Sequence, residues 1–174
     1  MSKDESGHDK LWAMIKKHRF AMMTTQHEGN VLRSRPMTTI ERRDDQSLWF
    51  FAKSDSAVTA ALAARPQACL SYANPADHDF VSVAGPAAIV SDVAKKKELW
   101  GPMVQAWLPE GPEASSVVLL EVKPDHAEYW DTKSSKLVQL FSMVRSLATG
   151  QPPRDMGEHR DVPVGSSKVP GSAG

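Results

Sequence analysis

The stretch from Arg19 to Lys53 constrains the fold more than any other part of the chain. In it "RFAMMTTQ", "VLRSRPMTTIER" and "SLWFFAK" read as strands, and "HEGN" and "RDDQ" read as tight turns. Three strands joined by such short connections predict an antiparallel meander. Its middle strand carries Arg33 and Arg35, which share one face because strand side chains alternate. A like-charged pair on one face is unfavourable unless both side chains reach water or an anion lies against them.

The rest of the chain extends the sheet. "QACLSYAN", "DFVSVAGPAAIVSD" and "SVVLLEVKP" read as further strands, and "HAEYWD" as a continuation of the sheet. Pro86 is awkward in a central strand, so an edge or bulge is expected at Gly85–Pro86. Leu11, Trp12 and Ile15 lie at helical spacing, which predicts an early amphipathic helix. "SDSAVTAALAAR" predicts a helix capped by Ser54 or Ser56 and ended by Pro66. "VAKKKELWGPMVQAWL" reads as helix interrupted at "GP", and "KLVQLFSMVRSLATG" as a late helix stopped by Gly150. About six strands with few helices predict a mainly-β fold, a small barrel with helices on its rim. Residues 1–7 are expected to be disordered, 8–150 to form the domain, and 151–174 to be a Pro/Gly-rich tail without a packed core.

Composition narrows the function. Lys+Arg and Asp+Glu both number 21, so the net charge is zero, which argues against a nucleic-acid-wrapping protein. No apolar run reaches the length needed to span a bilayer, and the polar start is no signal peptide. One cysteine, Cys69, sits in an apolar run and reads as a small buried hydrophobe. A cytoplasmic protein is expected. There is no Walker loop, no G-x-G-x-x-G and no G-x-S-x-G. The six histidines are scattered, and no metal site is expected.

What remains is an anion-binding constellation. Arg33 and Arg35 lie on one strand, and Lys53, Ser54 and Ser56 lie where the next strand gives way to a helix. If the two strands pair as a hairpin, the clusters converge. A helix N-terminus, guanidinium groups and hydroxyls together suit a phosphate. "WFF" between them offers flat apolar surface for a ring system. The competing reading is two solvated arginines, a helix cap and a core aromatic cluster. Trp100, Met103 and Trp107 present the same choice, between a lid over a ligand and ordinary packing against the barrel or a partner subunit.

The ordered segments "RFAMMTTQHEGNVLRSRPM", "SLWFFAKSDSAV", "ELWGPMVQAWLPEGPE", "LLEVKPDHAEYWD" and "ATGQPPRDMGEH" are together similar to one family. The chain resembles the general stress protein 26 branch of the pyridoxamine 5′-phosphate oxidase-like, FMN-binding split-barrel superfamily. The resemblance implies a six-stranded antiparallel split barrel with flanking helices, a homodimer, and FMN at the dimer interface. It sets Arg35, Pro36 and Met37 along the flavin, with Arg35 reaching the phosphate. It sets Thr38 and Thr39 near the isoalloxazine edge, and the backbone of Phe50, Phe51 and Ala52 along the ring. It makes Ser56 a phosphate contact and brings Trp130 to the flavin across the interface. Arg33 joins this set as the second arginine of the pair. The resemblance also implies a lysine just after the serine, in a D-S-x-K-V pattern. Here the stretch is "DSAV", which leaves Lys53 to compensate.

The function these readings imply is that of an FMN-binding stress protein, as a flavin-dependent oxidoreductase on an unidentified small molecule. The alternatives are a non-catalytic flavin-binding or sensing module, and a split barrel holding another cofactor such as haem. FAD is not excluded, since it contains the same FMN half. Arg19, Arg42, Arg43 and Arg145 are candidate contacts for a substrate phosphate, but each reads first as a solvated surface charge.

Overall fold

The β-runs of the sequence all form strands, but they do not pair in chain order. The computed structural model describes residues 3–40, 46–131 and 158–163. Helix α1 (Lys3–His18) leads into strands β1 (Phe20–Gln26) and β2 (Leu32–Thr38), followed by β3 (Leu48–Lys53) and helix α2 (Ala57–Ala64). Strands β4 (Gln67–Asn74) and β5 (Asp79–Val90) precede two short helices, α3 (Val93–Leu99) and α4 (Pro102–Trp107). Strands β6 (Val117–Val122), β7 (His126–Asp131) and β8 (Glu158–Pro163) complete the described chain. The late helix expected after Lys136, and Arg42, Arg43 and Arg145, lie outside the described residues.

The strands follow the path β2-β1-β4-β5-β6-β3, with β7 pairing β5 and β8 pairing β7. The expected meander is therefore corrected. β1 and β2 form a hairpin, but β3 pairs with β6 from the far end of the path. Burial explains the choice. Leu48, Trp49, Phe50 and Ala52 are buried, so β3 is covered on both faces, whereas most of β2 is exposed. A strand of continuous apolar character gains most beside another one, and β6, "VVLLEV", is its match. Among the described residues, the one backbone bridge between the β2 side and β3 joins Ile40, just past β2, to Trp49. The barrel is split along that seam.

β5 is the strand that turns the sheet into a barrel. Its first half pairs with β4 and β7, and its last residues pair with β6. The corner falls at Gly85–Pro86, where an edge or bulge was expected; it is not an edge, because Pro86 pairs with Gln67 on one side and accepts from Lys123 on the other. A β-carbon on Gly85 would stand 2.0 Å from the Lys123 carbonyl oxygen, so only glycine fits. The backbone on either side of the missing proline N–H stays bonded: the Pro86 carbonyl accepts from Lys123 N–H at 3.0 Å and the next amide, Ala87, donates to Pro66.

The core lies inside this barrel. Met23, Phe50, Leu70, Tyr72, Val83, Leu120 and Tyr129 fill it. α1 closes one side with Leu11, Met14 and Ile15, and α2 adds Val58 and Leu62. Burying each such side chain contributes about 1.5–3 kcal/mol. α3 and α4 cover the second face of β3 and β6 through Leu99, Val104 and Leu108. α3 is also tied down by Lys96, which is 1% exposed and whose Nζ donates to the carbonyls of Ala114 and Val117 at 2.9 Å.

Two boundaries differ from the sequence reading. α1 begins at Lys3, inside the segment expected to be disordered. The tail expected to lack a packed core supplies β8, and its Val162 is buried in the main cluster. The two corrections share a cause. β8 extends the sheet beyond β7, and Gly7 of α1 packs closely on Arg160.

Candidate functional site: an arginine pair beside an apolar cleft

The register of the β1–β2 hairpin sets one end of the site. Arg33 pairs with Thr25, Arg35 with Met23 and Met37 with Ala21. Those three β1 residues are buried, so Arg33, Arg35 and Met37 project from the core side of the hairpin. Arg35 is half-buried, and Arg33 is exposed. His27, just past β1, completes the cluster. Its Nε2 lies 3.2 Å from Arg35 Nη2 and 3.2 Å from Thr25 Oγ1. A guanidinium is always a donor, so this Nε2 is an acceptor and the imidazole is neutral. Desolvation, and then the charges of Arg33 and Arg35, hold His27 below the usual histidine range. Among the described residues no carboxylate forms an ion pair with either arginine. The cluster is thus two guanidiniums and a histidine with no counter-charge.

The other end is a cleft of about 800 Å³ where β2 and β3 part. Pro36, Met37 and Thr38 of β2, Phe51 of β3, and Met103 and Trp107 of α4 line it. Among the described residues the lining is apolar except for Thr38 and Arg19, and Arg19 is its one ionisable side chain. Arg19 adopts φ 49°, and its carbonyl accepts from Thr39 N–H at 2.8 Å, which fixes the turn between α1 and β1.

The other expected site residues are dispersed. Thr39 is buried and bonds the Tyr72 hydroxyl at 2.8 Å, so its side chain serves the core. Phe50 and Ala52 also point into the core, away from the cleft. Ser56 caps α2, with its Oγ accepting from Thr59 N–H and bonding Thr59 Oγ1. Lys53 is committed to Glu110 at 2.9 Å; that bond raises the lysine and lowers the carboxyl. Because β2 and β3 do not form a hairpin, no hydrogen bond or ion pair joins Arg33 and Arg35 to Lys53, Ser54 or Ser56 among the described residues. Trp130 stacks on His159 at 4.9 Å on the far wing of the sheet. Trp100 packs edge-on against Phe51, whereas Trp107 is 80% exposed at the cleft.

His27 was not among the residues expected from sequence, because "HEGN" reads as a turn. Its parity was legible: it follows Thr25 by two positions and so falls on the arginine face. A second histidine cluster lies elsewhere. His126 Nε2 is 3.5 Å from Glu128 and its Nδ1 is 3.7 Å from Asp161. The two carboxylates flank different ring nitrogens, so His126 links β7 to β8.

An antiparallel barrel split between two strands, with a cleft at the seam, is the split-barrel architecture. The chain belongs to the pyridoxamine 5′-phosphate oxidase-like family, which it matches over residues 6–154. It is 26% identical over 152 residues to protein bli-3 of Neurospora crassa, covering 82% of this chain and 73% of that protein. A structure assigned as general stress protein 26 from Jannaschia sp. CCS1 superposes with a TM-score of 0.71 at 22% identity, covering 91% of this chain and 99% of that one. The general stress FMN/FAD binding protein of Xanthomonas citri superposes with a TM-score of 0.66 at 29% identity, covering 75% and 92%. Among the described residues no helix is long and apolar enough to cross a membrane.

Proposed function

We propose that this protein binds FMN in the cleft between β2 and β3, with the phosphate at Arg33 and Arg35. The observation that carries the reading is an arginine pair that has no counter-charge among the described residues, beside an apolar cleft of about 800 Å³. Arg35 precedes Met37 by two strand positions, about 7 Å, a distance of the order a ribityl chain spans. Pro36, Met37 and Phe51 would hold the ring, and Thr38 would bond its polar edge. A bound flavin supplies hydride and electron transfer, and the protein positions and shields it. The substrate on this reading is a small molecule admitted beneath α4.

The reading includes a homodimer. Phe20 and Leu32 are 64% and 68% exposed, and Met22 and Trp107 are exposed as well. Apolar surface of that kind marks an interaction face, and a second copy would cover it. Trp130 would reach the flavin from that copy. The single cysteine supports a reducing compartment, the cytoplasm.

A second reading, a flavin-binding module without turnover, is favoured by one observation. Among the described residues the cleft lining contains no histidine or carboxylate to act as acid or base. Fluorescence titration with FMN and FAD tests binding, and anaerobic mixing with NADH or NADPH then separates the two readings. Bleaching of bound flavin followed by reoxidation with an acceptor supports the oxidoreductase. Bound flavin that neither donor reduces supports the module. No saturable quenching by either flavin overturns both and points to another cofactor, haem among them.

A further inference from the structure

We propose that His27 is a third anion-binding group of the Arg33–Arg35 seat, and that phosphate binding there is coupled to uptake of one proton by its imidazole. Where FMN is the phosphate bearer, the inference deepens the flavin reading; inorganic phosphate tests it without that reading.

The geometry is that of a masked donor. Arg35 Nη2 and Thr25 Oγ1 both approach His27 Nε2 at 3.2 Å, so the ring nitrogen facing the seat is occupied as an acceptor. Thr25, Arg33 and Arg35 all lie on the same face of the hairpin. An incoming phosphate oxygen competes for the Arg35 N–H, because a charge-assisted bond to phosphate is stronger than one to a neutral imidazole. Once Arg35 turns to the phosphate, Nε2 loses the guanidinium donor and keeps only the Thr25 hydroxyl, which can turn to accept. Nε2 then takes up a proton from solvent and keeps it, and the new N–H hydrogen-bonds a phosphate oxygen. The balance is one proton from buffer to Nε2, with no bond broken in the ligand.

The electrostatics point the same way. Among the described residues, the charged groups acting on His27 are Arg33 and Arg35 of β2, and no carboxylate opposes them. Its own turn contributes Glu28, which is exposed. A dianion in the seat reverses the local field and favours imidazolium. Affinity therefore rises as pH falls between the bound-state and free-state midpoints of His27, by at most about tenfold per pH unit for one proton. Phosphate's own ionisation near pH 6 acts alongside, so the histidine's share is the difference between wild type and His27→Gln.

The test is an NMR titration of the His27 ring, assigned by its loss in His27→Gln, with and without inorganic phosphate. FMN and riboflavin affinities at pH 6 and pH 8 accompany it, for wild type, His27→Gln and His27→Lys. The proposal expects phosphate to raise the His27 midpoint. It expects the FMN pH dependence of wild type to exceed that of His27→Gln several-fold, and riboflavin to show no such difference. His27→Lys, with its charge fixed, is expected to keep tight FMN binding at pH 8. An unchanged His27 midpoint, or identical pH dependence in wild type and His27→Gln, overturns the proposal even if FMN binds. A raised midpoint without FMN binding upholds the anion seat and removes the flavin reading alone.

Discussion

Ile40, just past β2, donates its backbone N–H to the carbonyl of Trp49 at 2.8 Å, the one bridge between the β2 side and β3 among the described residues. From there the strands part, β2 along β1 and β3 along β6. The cleft is the consequence of that divergence, and everything argued about ligand binding depends on it.

The corner that makes the divergence possible is Gly85. A Gly85→Ala β-carbon would meet the Lys123 carbonyl oxygen at 2.0 Å, a backbone atom with no rotamer to escape by. The expected loss is about 3 kcal/mol, the upper end of overpacking costs. Urea denaturation measures it, and a loss of under about 0.5 kcal/mol, the size of an ordinary surface substitution, contradicts the corner's role.

Thr39 and Tyr72 give a second stability test. Their hydroxyls bond each other at 2.8 Å in the core, and burial pushes the Tyr72 phenol well above its ordinary range. Tyr72→Phe leaves the Thr39 hydroxyl without its partner and is expected to cost about 1–3 kcal/mol. The double variant Thr39→Val with Tyr72→Phe is expected to recover most of that loss. Equal destabilisation by the single and double variants contradicts the pairing.

His18 predicts a pH dependence. Its side chain is 4% exposed, and its buried Nε2 has no hydrogen-bond partner among the described residues. Desolvation lowers its pKa from 6.5, against the opposing pull of Asp79. The unfolded chain therefore binds the proton first as pH falls below 6.5, and stability declines until the folded-state midpoint is passed. Above pH 6.5 the group is neutral in both states and contributes no slope. Urea midpoints at pH 7.5 and 5.5 are expected to differ more for wild type than for His18→Gln. Equal slopes in the two proteins contradict the assignment.

Lys53 separates the structure from the family resemblance. Its Nζ is held by Glu110 at 2.9 Å on the exposed surface. Lys53→Ala is expected to leave FMN affinity unchanged, because that charge is already engaged. A loss comparable to that of Arg35→Ala means that the pair with Glu110 opens for the ligand.

What the sequence showed and what it hid follow from range. Strand and helix runs are local, so α2 with its Ser56 cap and the break at Gly101–Pro102 were legible. Strand partners are not local. The run "SLWFFAK" announces a buried strand, yet nothing within it says that its neighbour is β6, far along the chain. β8 was hidden because, among the described side chains of "EHRDVP", Val162 is the one in the core. At the site, the shared face of Arg33 and Arg35 follows from strand alternation. The commitments of Thr39 to Tyr72 and Lys53 to Glu110 arise only from tertiary contacts.

The most direct test of the account is fluorescence titration of wild type and Arg35→Ala with FMN and with riboflavin. The account predicts saturable FMN binding that weakens about tenfold to a hundredfold in Arg35→Ala, as loss of a charge-assisted phosphate contact requires. It predicts that riboflavin binds both proteins equally. FMN affinity indifferent to Arg35, or no flavin binding at all, would contradict it.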